Sequence, residues 1–382
     1  MASAETAAPV GKARRRVSRW HLPIWWLNVA SVLALLLAYV AIRVSPATFW
    51  PLAFFGMVYP FVLATQMFFL LWWLVFRRKR MLLSGITVLL GWNHVTDFIQ
   101  VFSEPKSAVG EQVSIMSWNV RLFDLYNWSH NSTNRNEMYD LLLTEAPDIF
   151  CAQEFFRSDD KKYFDTRDTL LKNFHWSGVH DHYVQHTKRG HHFGIAIFST
   201  KPIVAKGLVK FPGDRNNSCI WADIAMLGDT IRVYNAHMAS IHFDYPDYQF
   251  MRDLDGGMEG DSLRSGGARI VGRLKNAFIR RAAQVELIQD HMHHSPHPVV
   301  LCTDMNDTPM SYAYHYLDAD LVDAFEESGS GLGHTYIGDF PSFRIDHIMH
   351  SPVLQATGFR TLPDELSDHR PIMCWMKKEV EM

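Results

Sequence analysis

The pattern of hydrophobic residues changes about a quarter of the way along the chain, from long apolar runs to short alternating ones. Two runs, 24–42 and 52–76, contain no formal charge over 19 and 25 residues respectively. An α-helix rises 1.5 Å per residue, so each run is long enough to cross a hydrocarbon core of about 30 Å. A signal peptide is the alternative for the first run, but a second run follows directly and no small-residue cleavage site is evident. The pattern therefore predicts two transmembrane helices.

A third run, 81–102, is weaker. It is apolar at both ends and is interrupted by Asn93, His94 and Asp97. Two structures fit this run: a third transmembrane helix whose polar residues face the other two helices, or a helix that lies on the membrane surface. We favour the transmembrane helix.

Basic residues flank the apolar runs asymmetrically. A cluster at 14–19 precedes the first run and another at 77–80 follows the second, whereas the short loop between the runs carries only Arg43. Positively charged flanks remain in the cytoplasm. Three transmembrane helices would place the rest of the chain outside the cytoplasm, and two would place it inside. With the third run counted, we expect a multi-pass protein of the bacterial inner membrane with an extracytoplasmic body.

The same two regions of the chain also differ in net charge. Residues 1–110 have a net charge of +8 (11 basic and three acidic residues), and the remainder has −11 (26 basic and 37 acidic). An acidic body is a poor partner for a long polyanion, because affinity for a phosphate backbone comes largely from Lys and Arg. The overall composition, 48% hydrophobic and 20% charged, excludes a disordered protein. Four widely spaced cysteines predict buried free thiols rather than a disulfide framework: Cys151, Cys219, Cys302 and Cys374.

Beyond residue 112 many short strand patterns alternate with few helical ones. This indicates an α/β domain in which two packed β-sheets are flanked by helices, a four-layer α/β/β/α sandwich. We expect a membrane module at 1–102, a linker at 103–111 and this domain at 112–382. Strands are predicted at 113–118, 148–152, 195–199, 203–210, 220–226, 231–234, 299–302, 344–349, 354–359 and 372–375, and helices at 136–144, 159–172 and 269–294. The segment 244–267 fits neither the helical nor the strand period of hydrophobic residues and is predicted to be a mobile insertion.

Polar side chains that can bind metal ions or transfer protons follow or interrupt these apolar strands. They are Asn119, Gln153 and Glu154, Asn235 and His237, Asp304 and Asn306, Asp346, and Asp368 and His369. One such strand end is usually only a turn. Six in one chain indicate a shared rim, where carboxylate, amide and imidazole groups would bind a hard divalent cation and a phosphate.

The same segments resemble the ordered motifs of the endonuclease/exonuclease/phosphatase superfamily. They are Ser117-Trp118-Asn119, Gln153-Glu154, Tyr234-Asn235-Ala236-His237-Met238, Thr303-Asp304-Met305-Asn306-Asp307-Thr308-Pro309, Arg344-Ile345-Asp346-His347-Ile348 and Ser367-Asp368-His369-Arg370-Pro371. The resemblance covers about 112–378. Thr303 departs from it, since the family usually has Gly before this Asp, and we expect only local packing to differ.

The resemblance implies a metal site and two weaker substrate contacts. Glu154 would be the main ligand, with Asn119 and Asp368 completing the shell, and the metal would be Mg²⁺, with Mn²⁺ as the alternative. Tyr234 and Asn217 would contact the substrate.

The resemblance also implies five catalytic residues. Asp304 would orient and deprotonate the attacking water, and Asn306 would hold the phosphate or the nucleophile. His369 would donate to a phosphoryl oxygen, Asp346 would fix the tautomer and charge of that imidazole, and His237 would be a second donor.

These roles imply hydrolysis of a phosphate ester, with a phosphodiester favoured, by in-line attack of water. The substrate would be a lipid, a small molecule or a nucleic acid, and the N-terminal helices would contact membrane lipid. Two alternatives stay open: a nuclease acting on DNA or RNA, and a non-catalytic membrane-tethered binding domain. A protein partner is not inferable from the sequence.

Overall fold

The structure, a computed structural model, describes residues 21–101, 110–161, 163–241, 243–253, 260–338 and 342–378. Most of the expected linker at 103–111 lies outside these ranges. The described part of the chain starts with a helical module, which we define as α1 to α6. Its helices are α1 (His21–Ala41), α2 (Pro46–Phe49), α3 (Pro51–Met57), α4 (Tyr59–Phe76), α5 (Arg78–Leu90) and α6 (Trp92–Thr96).

The body that follows contains twelve strands and six helices in the described part of the chain. The strands are β1 (Val113–Asn119), β2 (Ile149–Ser158), β3 (Gly178–His186), β4 (His191–Ser199), β5 (Ile203–Val209), β6 (Ser218–Met226), β7 (Asp229–His237), β8 (Val299–Asp304), β9 (Val322–Asp323), β10 (Asp346–His350), β11 (Leu354–Thr361) and β12 (Ile372–Lys378). The helices are α7 (Asn134–Glu145), α8 (Thr166–Asn173), α9 (Tyr245–Asp253), α10 (Gly260–His293), α11 (Tyr312–Asp318) and α12 (Ala324–Ser328).

The strands form two six-stranded mixed sheets, ordered β11-β12-β1-β2-β4-β3 and β5-β6-β7-β8-β10-β9. β1 and β2 are parallel in the first sheet, and β7 and β8 are parallel in the second. Apolar side chains such as Ile115, Cys151, Val233 and Cys302 fill the space between the sheets. Helices cover both outer faces, with α7 and α8 packed on the first sheet and α10 and α11 on the second. The predicted fold class is confirmed, and all four cysteines are buried free thiols.

The boundaries of several elements differ from the sequence prediction. β3 was not predicted, because it is a half-buried strand with polar residues along both faces. The helix predicted at 159–172 begins only at Thr166. The predicted mobile insertion at 244–267 is largely helical in the residues described: it contains α9 and the first turns of α10. Arg269 and Arg273 of α10 hold the buried Asp247 of α9 and so fix the two helices to each other.

Two helices of the module, α1 and α4, are long and apolar enough to cross a membrane, judged by length and composition. Large apolar side chains are also unusually exposed here: of the 31 such side chains in the described residues, 20 lie between Leu22 and Trp92. Exposed apolar surface on this scale marks a contact with lipid or protein.

The third apolar run forms α5 and α6, which lie beside α1 along its length. At one end, Arg80 donates to the carbonyl of His21 at 3.2 Å. Further along, Ser84 donates to Asn28 at 2.9 Å, and at the far end the rings of His94 and Tyr39 lie 5.4 Å apart. The contacts follow one another in the same order along both, so α5 and α6 run parallel to α1.

The module packs closely on the body. At Gly56 an added Cβ would lie 2.2 Å from the carbonyl oxygen of Met310, so only glycine allows α3 to approach that loop. Phe54 and Phe278 make an edge-to-face ring contact at 5.4 Å across the same junction. The basic end of the module, at Arg80, lies at the opposite end of α1 from this junction.

Candidate active site

The alternation of side chains along the strands explains how the site forms. Positions facing the other sheet carry apolar residues along most of each strand and polar residues at its end. On β7 this face runs through Ile231 and Val233 to His237, and on β8 through Val300 and Cys302 to Asp304. The site is therefore the open end of the core between the sheets.

Asp304 lies at the centre of this group. In the register of the second sheet it is opposite both His237 of β7 and Asp346 of β10. Its carboxylate Oδ2 lies 3.6 Å from His237 Nε2 and 3.9 Å from His369 Nε2, and it accepts a hydrogen bond from the Asn119 amide at 2.9 Å. Asp304 is 1% exposed, so these neighbours replace water as its surroundings.

His369 is joined to Asp346 by a hydrogen bond of 2.8 Å between Nδ1 and Oδ2. Burial alone would lower the pKa of His369, but the carboxylates of Asp346 and Asp304 raise it to about 10. The imidazole is therefore cationic at neutral pH, with Nε2 directed towards Asp304. Arg344 does not pair with Asp346; its guanidinium binds the buried Asp323.

Glu154 lies on a β-bulge. The pairing of β2 with β4 gains one extra residue between Ala152 and Phe155, and Glu154 has φ of 47° there. At the bulge the side chain of Glu154 leaves the regular alternation of the strand and lines the cleft. It lies beside His237, whose Nε2 is 3.8 Å from Glu154 Oε1. Burial raises the pKa of the Glu154 carboxyl, and the imidazole of His237 opposes that rise.

Asp368 and Asn119 lie close to these groups. Asp368 is paired with Arg121, whose Nε is 3.2 Å from its Oδ2. Asn119 donates to Asp304, and its amide oxygen accepts the backbone N–H of Arg121 at 3.0 Å. Arg121 starts a turn of four residues with positive φ, Arg121 to Asp124, which bends the chain back across the site.

The side chains of Asn306 and Asn217 hydrogen-bond to the same backbone oxygen. Both side-chain amides donate to the carbonyl of Met238, at 3.2 and 2.7 Å. Asn306 has φ of 54°, a left-handed conformation that Asn adopts more readily than most residues, and its N–H binds Asp304 Oδ1 at 3.0 Å. The predicted substrate contact Asn217 is thus held beside Asn306, and Arg280 donates to its Oδ1.

Tyr234 is not brought to the site. It is one residue out of phase with Asn235 and His237 on β7, so its ring points to the outer face of the sheet, beneath α10. Its hydroxyl lies 2.8 Å from His291 Nδ1. The position of Tyr234 beside the other motif residues in sequence does not bring it to the cleft, so the structure gives its predicted contact with substrate no support.

Polar residues to which the sequence analysis assigned no role support the site from below. Gln153 donates to Ser117 at 3.0 Å and to Asn235 at 2.8 Å. Asn235 in turn donates to two backbone carbonyls, those of Ala152 and Ala196, in the first sheet. This buried network links the two sheets under Glu154. The alternation of β7 could have revealed it, because Asn235 shares the face of His237.

Two groups of ionisable residues could hold a cation here. Ligand atoms of Asp304, Asp346 and His369 lie within 4.8 Å of one another. Hydrogen bonds already use most of these atoms. The Glu154 carboxylate faces the cleft on the other side of His237. Its oxygens, with those of Asn119 and Asp368 nearby, are the ligand type that Mg²⁺ prefers.

The cleft itself has a volume of about 240 Å³. Its walls are Leu122, Glu154, Val184, Gln185, Phe193, Gly194, Ile195, Asn216, Ser218 and His237. None of these described lining residues is Lys or Arg.

Solved structures with the same fold have very different sequences. An endonuclease/exonuclease/phosphatase from Beutenbergia cavernae DSM 12333 is 15% identical, with a TM-score of 0.51 over 70% of this chain and 72% of its own. A conserved protein of unknown function from Enterococcus faecalis V583 is 16% identical, with a TM-score of 0.50 over 70% of this chain and all of its own. At this identity the likeness shows the fold alone. No curated protein matches the chain.

Two family models match the chain, one in each region. Residues 21–98 match a domain of unknown function (DUF8431). Residues 116–369 match the model of the endonuclease/exonuclease/phosphatase family, and this match covers most of the body and every site residue described above. The chain therefore belongs to the endonuclease/exonuclease/phosphatase family.

Proposed function

We propose that this protein is a Mg²⁺-dependent phosphodiesterase that hydrolyses its substrate by in-line attack of water. Proteins of its family are hydrolases that act on phosphate esters. The observation that carries the proposal is the position of Asp304, which is buried between two imidazole nitrogens at 3.6 and 3.9 Å. This arrangement sets a base and two hydrogen-bond donors around one point at the mouth of the cleft.

Asp304 takes the proton of the attacking water in this proposal. Its Oδ1 is held by the N–H of Asn306 and its Oδ2 by the amide of Asn119, so the carboxylate cannot rotate away. The amide of Asn306 lies next to it and orients the water or the phosphate. A fixed base within reach of the nucleophile is the geometric requirement for general base catalysis.

His237 and His369 donate to the phosphoryl oxygens, where negative charge increases in the transition state. Nε2 of His237 is buried without a hydrogen-bond partner among the described residues, so it is free to donate to a ligand. His369 is already cationic because of Asp346. Donors placed in advance at such a position contribute more than donors that must reorganise.

Glu154 would hold the Mg²⁺, with Asn119 and Asp368 as further ligands, directly or through water. The pKa of Glu154 is raised by burial and a dication would favour its ionised form, so the donor set fits the metal. Asp368 would exchange its contact with Arg121 for the metal shell. Bound there, the metal would neutralise charge on the phosphate.

The surroundings of the site favour a membrane-borne phosphodiester over a long nucleic acid. The described lining of the cleft has no Lys or Arg, the nearby Arg121 is paired with Asp368, and the body has a net charge of −11. The helical module contacts the loop that carries the site: Met310, which packs against Gly56, is only four residues after Asn306. A bilayer that surrounds the module would thus lie next to this rim of the sheets.

A hydrolysis screen tests this function. We expect the full-length protein in detergent to hydrolyse a phosphodiester in the presence of Mg²⁺ or Mn²⁺. The panel contains a generic phosphodiester, a phosphomonoester, sphingomyelin, an inositol phosphate and DNA.

Glu154→Gln keeps the shape of the side chain and removes its charge, so kcat/KM should fall by at least about 100-fold, with partial recovery at high Mg²⁺. Glu365→Gln, at an exposed acid paired with Arg370, is the control.

The outcomes of this screen separate the alternatives. Turnover of DNA alone would favour the nuclease, and phosphomonoester turnover alone a phosphatase. Wild-type kcat/KM for Glu154→Gln at low Mg²⁺ would reject Glu154 as the metal ligand. No metal-dependent hydrolysis of any substrate would favour a non-catalytic binding domain.

A double-mutant cycle tests whether Asp346 and His369 act as a unit. His369→Ala removes a phosphoryl donor and should cost about 3 kcal/mol in kcat/KM. Asp346→Asn should cost somewhat less, because the imidazole remains but loses its charge and orientation. The double mutant should be little worse than His369→Ala alone, since residues that act as a unit are strongly non-additive. The measurement is kcat/KM with the best substrate of the screen.

Glu327→Gln is the matched control for this cycle, because Glu327 pairs with His350 at the other end of β10, at 3.0 Å. It should alter stability without altering kcat/KM. If the losses from Asp346→Asn and His369→Ala multiply independently, the two residues do not form the unit proposed here.

We also propose that three helical segments cross the membrane, with residues 1–102 as the membrane module and 112–382 as the catalytic domain. α5 and α6 together span Arg78 to Thr96, about 28 Å of helix at 1.5 Å per residue, and they lie beside α1 along its length. The basic residues at 77–80 are at the end of the module away from the body. The positive-inside rule then places the body outside the cytoplasm.

Reporter fusions test this topology. An alkaline phosphatase fused after Glu111 should be active and a green fluorescent protein at the same position dark, because the chain has crossed the membrane three times. The matched fusions after Lys79, at the start of the third segment, should give the reverse. If the fusions after Glu111 behave like those after Lys79, the third segment does not cross and the catalytic domain is cytoplasmic.

A further inference from the structure

A second cluster of metal-ligating side chains lies at the junction of the module and the body, apart from the active site. His94 and Asp97 come from the end of the module, and His315 comes from α11 of the body. Ligand atoms of the three residues lie within 4.8 Å of one another. The three side chains are 19%, 8% and 16% exposed, so they are largely shielded from water.

The distances fit the ligand spacing of a metal site, although the contact of His94 with Asp97 is also a long hydrogen bond. Asp97 Oδ2 lies 3.3 Å from His94 Nδ1 and 3.6 Å from His315 Nε2. Charge-assisted hydrogen bonds between such groups are about 2.7–2.9 Å long. Zinc bonds of about 2.0–2.2 Å in a tetrahedral shell place neighbouring ligand atoms about 3.3–3.6 Å apart. The two contacts with Asp97 fall in that range.

The neighbours of the cluster also favour a cation. Nε2 of His315 is buried and has no hydrogen-bond partner among the described residues, although it points at the carboxylate of Asp97. The other nitrogen of His315 faces Asp318, with Oδ2 at 3.9 Å, as an outer carboxylate faces a metal-bound imidazole. Behind Asp97 lies Asp323, and Arg344 is the cation that binds both, through the Asp97 carbonyl and the Asp323 carboxylate. Of the carboxylates of Asp97, Asp318 and Asp323, only that of Asp323 is bound by this guanidinium.

We propose that His94, Asp97 and His315 bind Zn²⁺ or a similar divalent metal ion. This ion links the helical module to the catalytic domain. Two imidazoles and one carboxylate are a ligand set for Zn²⁺ rather than for Mg²⁺, which prefers oxygen ligands alone. A water molecule would take the fourth position. Because the ligands come from both regions, the ion stabilises their contact, and this site is independent of the hydrolysis proposed above.

Metal analysis of the full-length protein tests this site. After incubation with a small excess of Zn²⁺ and desalting, the wild type should retain about one zinc per chain, and zinc should raise its unfolding temperature in detergent. His315→Ala and the isosteric Asp97→Asn should retain less than about a fifth of that zinc and lose the thermal shift. His294→Ala, at a histidine that is 78% exposed, and Glu154→Gln should bind zinc as the wild type does.

Substitution with Co²⁺ provides a readout that does not depend on stability. The wild type should give the strong d–d absorption of tetrahedral cobalt, and His94→Gln should lose it while the protein remains folded. Two results would overturn the proposal: a wild type that retains no zinc, or His94→Gln, Asp97→Asn and His315→Ala variants that retain as much zinc as the wild type. Loss of zinc from Glu154→Gln alone would place the ion in the active site instead.

Discussion

The concentration of negative charge at one rim of the two sheets is the constraint on which this structure depends. Four carboxylates lie there, on strand ends or just beyond them: Glu154, Asp304, Asp346 and Asp368. Carboxylates are costly to bury unless cations or hydrogen-bond donors replace water. The chain supplies the imidazoles of His237 and His369 and the guanidinium of Arg121. Glu154 has only the imidazole of His237, 3.8 Å away, as a close partner of this kind among the described residues, and there the proposed Mg²⁺ would complete the balance.

Backbone strain is concentrated at the same rim. Glu154 and Asn306 both have positive φ, as do four consecutive residues from Arg121 to Asp124. Each such residue costs about 1–3 kcal/mol, which the packed sheets below must offset. The strain has a visible result, since the bulge directs Glu154 into the cleft and the left-handed turn at Asn306 brings its N–H onto Asp304. The rigid core between the sheets therefore holds the site in a geometry that the local sequence alone would not adopt.

Much of this arrangement could be predicted from the sequence, because the two-residue period of strands marks both the core face and the polar residues that end it. Asn119, His237, Asp304 and Asp346 follow that rule, and the same rule applied residue by residue would have excluded Tyr234. The features that the local sequence pattern could not predict depend on contacts between distant segments. β3 is a strand because β4 pairs with it, despite its polar sequence, and His94 meets His315 only because the module packs on the body. The helices α9 and α10 within 244–267 are likewise joined by tertiary ion pairs, through Asp247.

Anomalous diffraction from crystals grown with Mn²⁺ tests the central claim most directly, because it locates the cation without reference to any substrate. The account predicts a manganese peak within bonding distance, about 2.0–2.3 Å, of a carboxylate oxygen of Glu154. It also predicts that the hydrogen bond between Asp346 and His369 persists with no metal bound to either residue. A peak bonded to Asp346 or Asp304, with Glu154 unliganded, would contradict the account.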